Sequence, residues 1–145
     1  MLGHIGDSRC YRVRGGKLQQ ITKDHSLLQE QLDAGLITPE QALTSLNKNL
    51  VTRALGVEDA VLLEVHEHKV ELGDTYLMCS DGLSDMLRDE AIATIMLADG
   101  TQEQKASQLV AAANQAGGRD NISVVLAHAR QASAKRGLLS RILGK

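Results

Sequence analysis

The sequence predicts an α+β fold of mostly antiparallel β layers flanked by helices. Three observations carry that prediction. Tyr76, Leu77, Met78 and Cys79 form a short apolar run closed by Ser80-Asp81-Gly82, which has the length and the ending of a buried strand. Strand-like segments are joined by the short turns Gly15-Gly16 and Leu72-Gly73-Asp74, enough for antiparallel neighbours and too short for a parallel crossover. Helical periodicity is confined to separate stretches after Ser26, across residues 88–97 and after Thr101.

In chain order, residues 1–5 read as the end of a strand that Gly6-Asp7 turns. Residues 10–14 and 17–21 flank Gly15-Gly16 as hairpin arms, with Val13, Leu18 and Ile21 inward. Asp24-His25-Ser26 opens a helix. Asp24 or Ser26 supplies a capping oxygen, Leu27, Leu28 and Leu32 recur at helical spacing, and Gly35 stops it. Thr38-Pro39-Glu40-Gln41 starts a second helix: a cap, a proline where the N–H has no partner to lose, and a glutamine that can reach back. Residues 22–50 therefore form a helical excursion between strands.

Residues 61–70 alternate, with Val61, Leu63 and Val65 on one side and Leu62, Glu64, His66 and His68 on the other, the period of a half-buried strand. The turn at Leu72-Gly73-Asp74 makes this segment the expected neighbour of the strand ending at Cys79. Residues 88–97 place Ile92, Ile95 and Met96 on one helical face. Thr101 caps a further helix in which Ala106, Leu109, Val110 and Ala113 share a face. Gly117-Gly118 ends it, and residues 122–127 are the last strand. Residues 131–145 mix Lys135, Arg136, Arg141 and Lys145 with Leu138, Leu139, Ile142 and Leu143, a basic amphipathic tail that is either a frayed terminus or a docking helix.

Composition narrows the function. A chain of 145 residues can bury the core of one domain. Its formal charge of -2 offers no basic face for nucleic acid, and with two tyrosines, no Phe and no Trp it lacks an aromatic platform for bases. No apolar run approaches membrane-spanning length and no signal peptide opens the chain. Cys10 and Cys79 lie in strand-like sequence and are expected as buried, reduced thiols of a cytoplasmic protein.

Candidate chemistry sits in three acidic turns. Gly6-Asp7-Ser8-Arg9, Ser80-Asp81-Gly82 and Gly117-Gly118-Arg119-Asp120-Asn121 each place an aspartate beside glycine at a strand edge. Carboxylates held rigidly at one end of a sheet suit hard cations such as Mg²⁺ and Mn²⁺, which take oxygen ligands in near-octahedral geometry. Gly82, Asp85 and Asn121 stand as accessory positions around those ligands. Glu64, His66 and His68 suggest zinc, yet alternate strand positions need a further ligand from elsewhere, and the pattern reads as a solvated sheet face. His25 reads as structural in preference to a proton carrier.

The motifs GDSRCY, DHS, TRALG, CSDGLSD and GGRDN, in that order, resemble the metal-dependent Ser/Thr protein phosphatases of the PPM, or type 2C, family. The resemblance runs from Leu2 to about Ala129 and implies part of an αββα sandwich, a partial catalytic domain over residues 1–130. It implies Asp81 and Asp120 as ligands of one Mn²⁺ or Mg²⁺ ion, and Asp7 with Asp81 as ligands of an accessory ion. It also implies a phosphoprotein substrate and a flap over residues 22–50 beside the active site; Arg53, whose planar fork suits a buried carboxylate or a phosphate, is read as structural. The family's Asp-Gly-x-Gly-Gly turn and phosphate-gripping arginine have no match in these residues. The chain is therefore expected to resemble the C-terminal portion of the domain, to have little activity alone, and to self-associate or pair with a missing N-terminal half through exposed strand edges. The alternative is a non-catalytic, phosphatase-like binding or regulatory module.

Overall fold

A computed structural model describes residues 1–43, 45, 50–54, 56, 60 and 62–131. In chain order the described elements are β1 (Leu2–His4), β2 (Arg9–Arg14), β3 (Lys17–Gln20), α1 (Leu27–Asp33), α2 (Pro39–Leu43), β4 (Glu64–His66), β5 (Thr75–Cys79), α3 (Asp81–Ser84), α4 (Asp89–Leu97), α5 (Gln102–Gln115) and β6 (Val124–His128).

β2 and β3 form the expected hairpin, with Val13 opposite Leu18. Gly15 and Gly16 both take positive φ, 55° and 73°, as a two-residue turn of this hand requires. β2 also pairs with β5, and β5 with β6, giving an antiparallel sheet of order β3-β2-β5-β6. The register sets Tyr11, Leu77 and Leu126 side by side, so they share a face. Tyr11 and Leu77 on that face are fully buried together with Leu83 of α3, Ile92 and Met96 of α4, and Leu109 and Ala113 of α5. Each large apolar side chain in this core contributes roughly 1.5–3 kcal/mol from leaving water. Cys10 and Cys79 are buried free thiols. Burial pushes the Cys79 thiol up to about 12, which keeps it protonated and unreactive at neutral pH.

The helix starts follow the expected chemistry. Ser26 accepts from the Gln29 amide at the head of α1, and Thr38 and Gln41 exchange reciprocal bonds at the head of α2. No residue of α1 is fully buried, so this excursion lies outside the main core. Among the described residues no helix is long and apolar enough to cross a membrane. The tail at residues 131–145 lies outside the described residues apart from Gln131.

The segment at residues 61–70 departs from expectation twice. Its strand is β4 alone, and β4 pairs with β1 in a separate two-stranded sheet, not with β5. The turn at Gly73 instead ties the chain to the end of β6, the Gly73 amide donating to Ala129 at 2.8 Å. A short connection permits an antiparallel neighbour without requiring one. The side expected to be buried is also the open one: Leu63 is 57% exposed and Val65 46%. Alternation marks two faces but not which is covered, and here the Glu64 side faces two histidines. Val61 lies outside the described residues.

A candidate metal centre at one end of the sheet

The strand register brings the three acidic turns to one end of the four-stranded sheet. Cys79 at the end of β5 lies between Arg9, the first residue of β2, and Val124, the first of β6. Asp7 stands just before β2, Asp81 just after β5, and Asp120 in the turn that leads to β6.

Each turn is fixed by its own bonds. Asp81 opens α3 where an apolar strand has just ended, and its Oδ1 accepts from the Gly82 amide at 2.8 Å, which orients the carboxylate. The turn carrying Asp120 docks on this one. Ser80 Oγ donates to the Asn121 carbonyl at 3.0 Å and accepts from the Ser123 amide at 3.1 Å. Contact is so close at Gly82 that a Cβ there would lie 2.3 Å from the Asn121 carbonyl oxygen. Asp120 is exposed and accepts from the Asn121 amide at 2.6 Å. Asn121 and Gly82 thus act as the scaffold between the two aspartates. Asp85 is exposed, and its amide closes α3 by donating to the Asp81 carbonyl at 2.8 Å.

Asp7 is half-buried, and its carboxyl is raised above the usual 3.8, first by burial and next by the negative charge of Asp81. The negative charge of Asp81 acting on Asp7 makes this an electrostatic site that a cation would relieve. The Gly6-Asp7 turn is pinned from behind by the Asp24-His25-Ser26 segment. The Gly6 amide donates to His25 Nδ1 at 3.1 Å, the His25 amide donates back to the Gly6 carbonyl at 2.8 Å, and Arg9 makes a forked ion pair with Asp24 with a shortest contact of 2.6 Å. His25 thus braces the Asp7 turn through partners that lie far along the chain, and nothing local in the sequence names them. Arg53 is exposed.

Among the described residues, the set of three metal-ligating side chains whose ligand atoms come within 4.8 Å of one another is His4, His25 and Glu64; Asp7, Asp81 and Asp120 form no such set.

No family model matches the chain. It is 40% identical over 132 residues to the protein phosphatase PhpP of Streptococcus pneumoniae, an alignment covering 91% of this chain and 54% of PhpP. It superposes on the serine/threonine phosphatase of S. agalactiae with a TM-score of 0.82 at 38% identity, covering 88% of this chain and 53% of that one. A PPM Ser-Thr phosphatase of Mycobacterium smegmatis superposes with a TM-score of 0.77 at 36% identity, covering 86% and 53%. Over about nine-tenths of its length the chain is similar to Ser/Thr phosphatases, among them one described as a PPM enzyme. It spans about half the length of the curated relatives it matches and corresponds to the C-terminal portion of the PPM domain. The catalytic domain of the PPM relative PstP, 43% identical with a TM-score of 0.73, is described in complex with two manganese ions, covering 89% of this chain and 53% of that one.

Proposed function

We propose that this chain is the metal-binding C-terminal part of a cytoplasmic, metal-dependent phosphatase acting on phosphoserine and phosphothreonine in proteins. Asp7, Asp81 and Asp120 hold Mn²⁺ or Mg²⁺, with Gly82, Asp85 and Asn121 as supports. The observation that carries the reading is the gathering of the three acidic turns at one end of the sheet, where burial and the charge of Asp81 raise the Asp7 carboxyl. The donor set fits a hard ion, because every group offered is an oxygen. Divalent ions bound in such a site acidify water and offset charge on phosphoryl oxygens. The chain's own contribution is placement: the Gly82 amide orients Asp81, the Ser80–Asn121 bond seats the Asp120 turn, and His25 holds the Asp7 turn. Within residues 22–50, of which 44 and 46–49 lie outside the described residues, α1 and α2 serve as a flap beside this site and bias substrate choice.

By itself the chain has little or no turnover, since these aspartates make up only part of a two-ion ligand set. Calorimetric titration with Mn²⁺ together with hydrolysis of p-nitrophenyl phosphate tests both parts. The expected result is Mn²⁺ binding that Asp81→Asn abolishes, with hydrolysis at background. Mn²⁺ binding unaltered by Asp81→Asn would remove the metal centre, and Mn²⁺-dependent hydrolysis by the chain alone would remove the claim of inactivity. Should the chain bind Mn²⁺ and stay inactive even with an added N-terminal PPM half, the reading becomes a binding or regulatory module.

A further inference from the structure

A second set of ligands lies on the small sheet. Pairing of β1 with β4 puts His4 directly opposite Glu64, and the segment ahead of α1 lays His25 beside both, with the two imidazole rings 4.9 Å apart. One ligand atom from each of the three comes within 4.8 Å of the other two. Both histidines are more than nine-tenths buried, at 8% and 7% exposure. His4 Nε2 donates to the Ser8 carbonyl at 2.7 Å, so Nδ1 carries the lone pair, and Nδ1 is buried with no hydrogen-bond partner. Burying an acceptor without a donor is costly, and a free imidazole lone pair is the form in which histidine ligates metal. Glu64 receives His25 Nε2–H at 2.8 Å on one oxygen and contacts His66 Nε2 with the other. These two imidazoles pull the Glu64 carboxyl down to about 2, so it is ionised at neutral pH.

We propose that His4, His25 and Glu64 form a site for a borderline divalent cation of the zinc class, with His66 as the nearest fourth donor. Two imidazole nitrogens and one carboxylate are a donor set that Zn²⁺ and Co²⁺ accept in tetrahedral coordination, whereas Mg²⁺ prefers oxygen throughout. The set differs from the Glu64, His66 and His68 pattern read along the strand, because two of its three ligands come from other segments. Occupancy has a defined effect on the neighbouring turn. His25 keeps one proton, which moves from Nε2 to Nδ1 as the cation takes Nε2, and the Gly6 amide loses its acceptor. Cation binding here therefore loosens the turn that carries Asp7. The site itself stands whether or not the aspartates bind a hard ion.

The 145-residue chain carrying Asp81→Asn and Asp120→Asn, which silences the carboxylate centre, is titrated with Co²⁺ and then Zn²⁺. One equivalent of Co²⁺ is expected, with the visible absorption of tetrahedral coordination, displacement by Zn²⁺, and shifts confined to the ring ¹⁵N resonances of His4, His25 and His66. His4→Gln and Glu64→Gln are each expected to weaken binding about tenfold or more, and His68→Gln to leave it unchanged. Glu64→Gln keeps an acceptor for His25, so it tests the ligand without removing that hydrogen bond, and circular dichroism checks its folding. Absence of Co²⁺ binding, or binding unaltered in folded Glu64→Gln, overturns the proposal.

Discussion

Gly82 lacks a side chain because the Asn121 carbonyl occupies the space one would need, 2.3 Å from a would-be Cβ. The obstacle is backbone on both sides, so Gly82→Ala must push the Asp120 turn away from Asp81. It should cost roughly 1–3 kcal/mol of stability, read by urea melts, and weaken Mn²⁺ binding by calorimetry without removing any ligand. Asp74 makes a different residue-scale case. It is 1% exposed, accepts two bonds from Arg14 at 2.7 Å, and takes further bonds from the Glu71 amide and the Tyr76 hydroxyl. The Arg14 bonds, the largest cause, hold its carboxyl well below the usual 3.8. A depressed carboxylate stabilises the fold above its unfolded value and loses that contribution as pH falls through the folded one. Asp74→Asn should therefore lower the melting temperature by several degrees at pH 7, and the gap should narrow as pH falls below 3.8. The Asp81-Gly82 turn was legible because an apolar run, an aspartate and a glycine are adjacent. Asp74 read only as a turn residue, since its partner Arg14 is 60 residues away.

Elements were legible where their determinants are local. The start of α5 is an example. Thr101 accepts from the Gln104 amide at 3.2 Å while the Gln104 side chain accepts from the Thr101 amide at 2.8 Å, both bonds lying within four consecutive residues. Thr101→Ala should cost about 1 kcal/mol in thermal or chemical unfolding, with Thr101→Ser close to neutral, because only the capping oxygen matters there. The apolar faces of α4 and α5 were equally readable from spacing, and Ile92, Met96, Leu109 and Ala113 are all buried. β4 was not readable in the same way. Its alternation was plain, but its partner β1 lies some sixty residues earlier, and its covered face is chosen by His4 and His25, not by its own valine and leucines. Pairing between distant strands depends on what else the fold brings there, and no local pattern records it.

At the scale of the whole molecule, the described helices cover one face of the four-stranded sheet, and the other face is covered at Cys10 and open at Met78 and Val125. The register that sends Tyr11, Leu77 and Leu126 inward sends Cys10, Met78 and Val125 to the opposite face, where Met78 is 39% and Val125 57% exposed. An open groove lined by Leu2, Ile5, Cys10, Met78 and Val125 runs between that face and β1. Leu62, Leu63 and Val65 on and beside β4, with Val70 and Leu72 beyond it, add further exposed apolar surface. Scattered apolar residues are ordinary on a protein surface, but here they adjoin a sheet face and the short two-stranded sheet, a combination that favours association. The chain should form concentration-dependent oligomers by light scattering. Leu63→Glu with Val65→Lys should shift the equilibrium toward monomer while leaving the melting temperature nearly unchanged, since both residues are exposed, at 57% and 46%, and neither belongs to the buried core. An N-terminal half of a PPM phosphatase, added in excess, should compete with self-association for the same surface. A monomer across a wide concentration range that also ignores such a half would mean that these apolar faces are satisfied by water, and the open layer would then be a property of the finished fold.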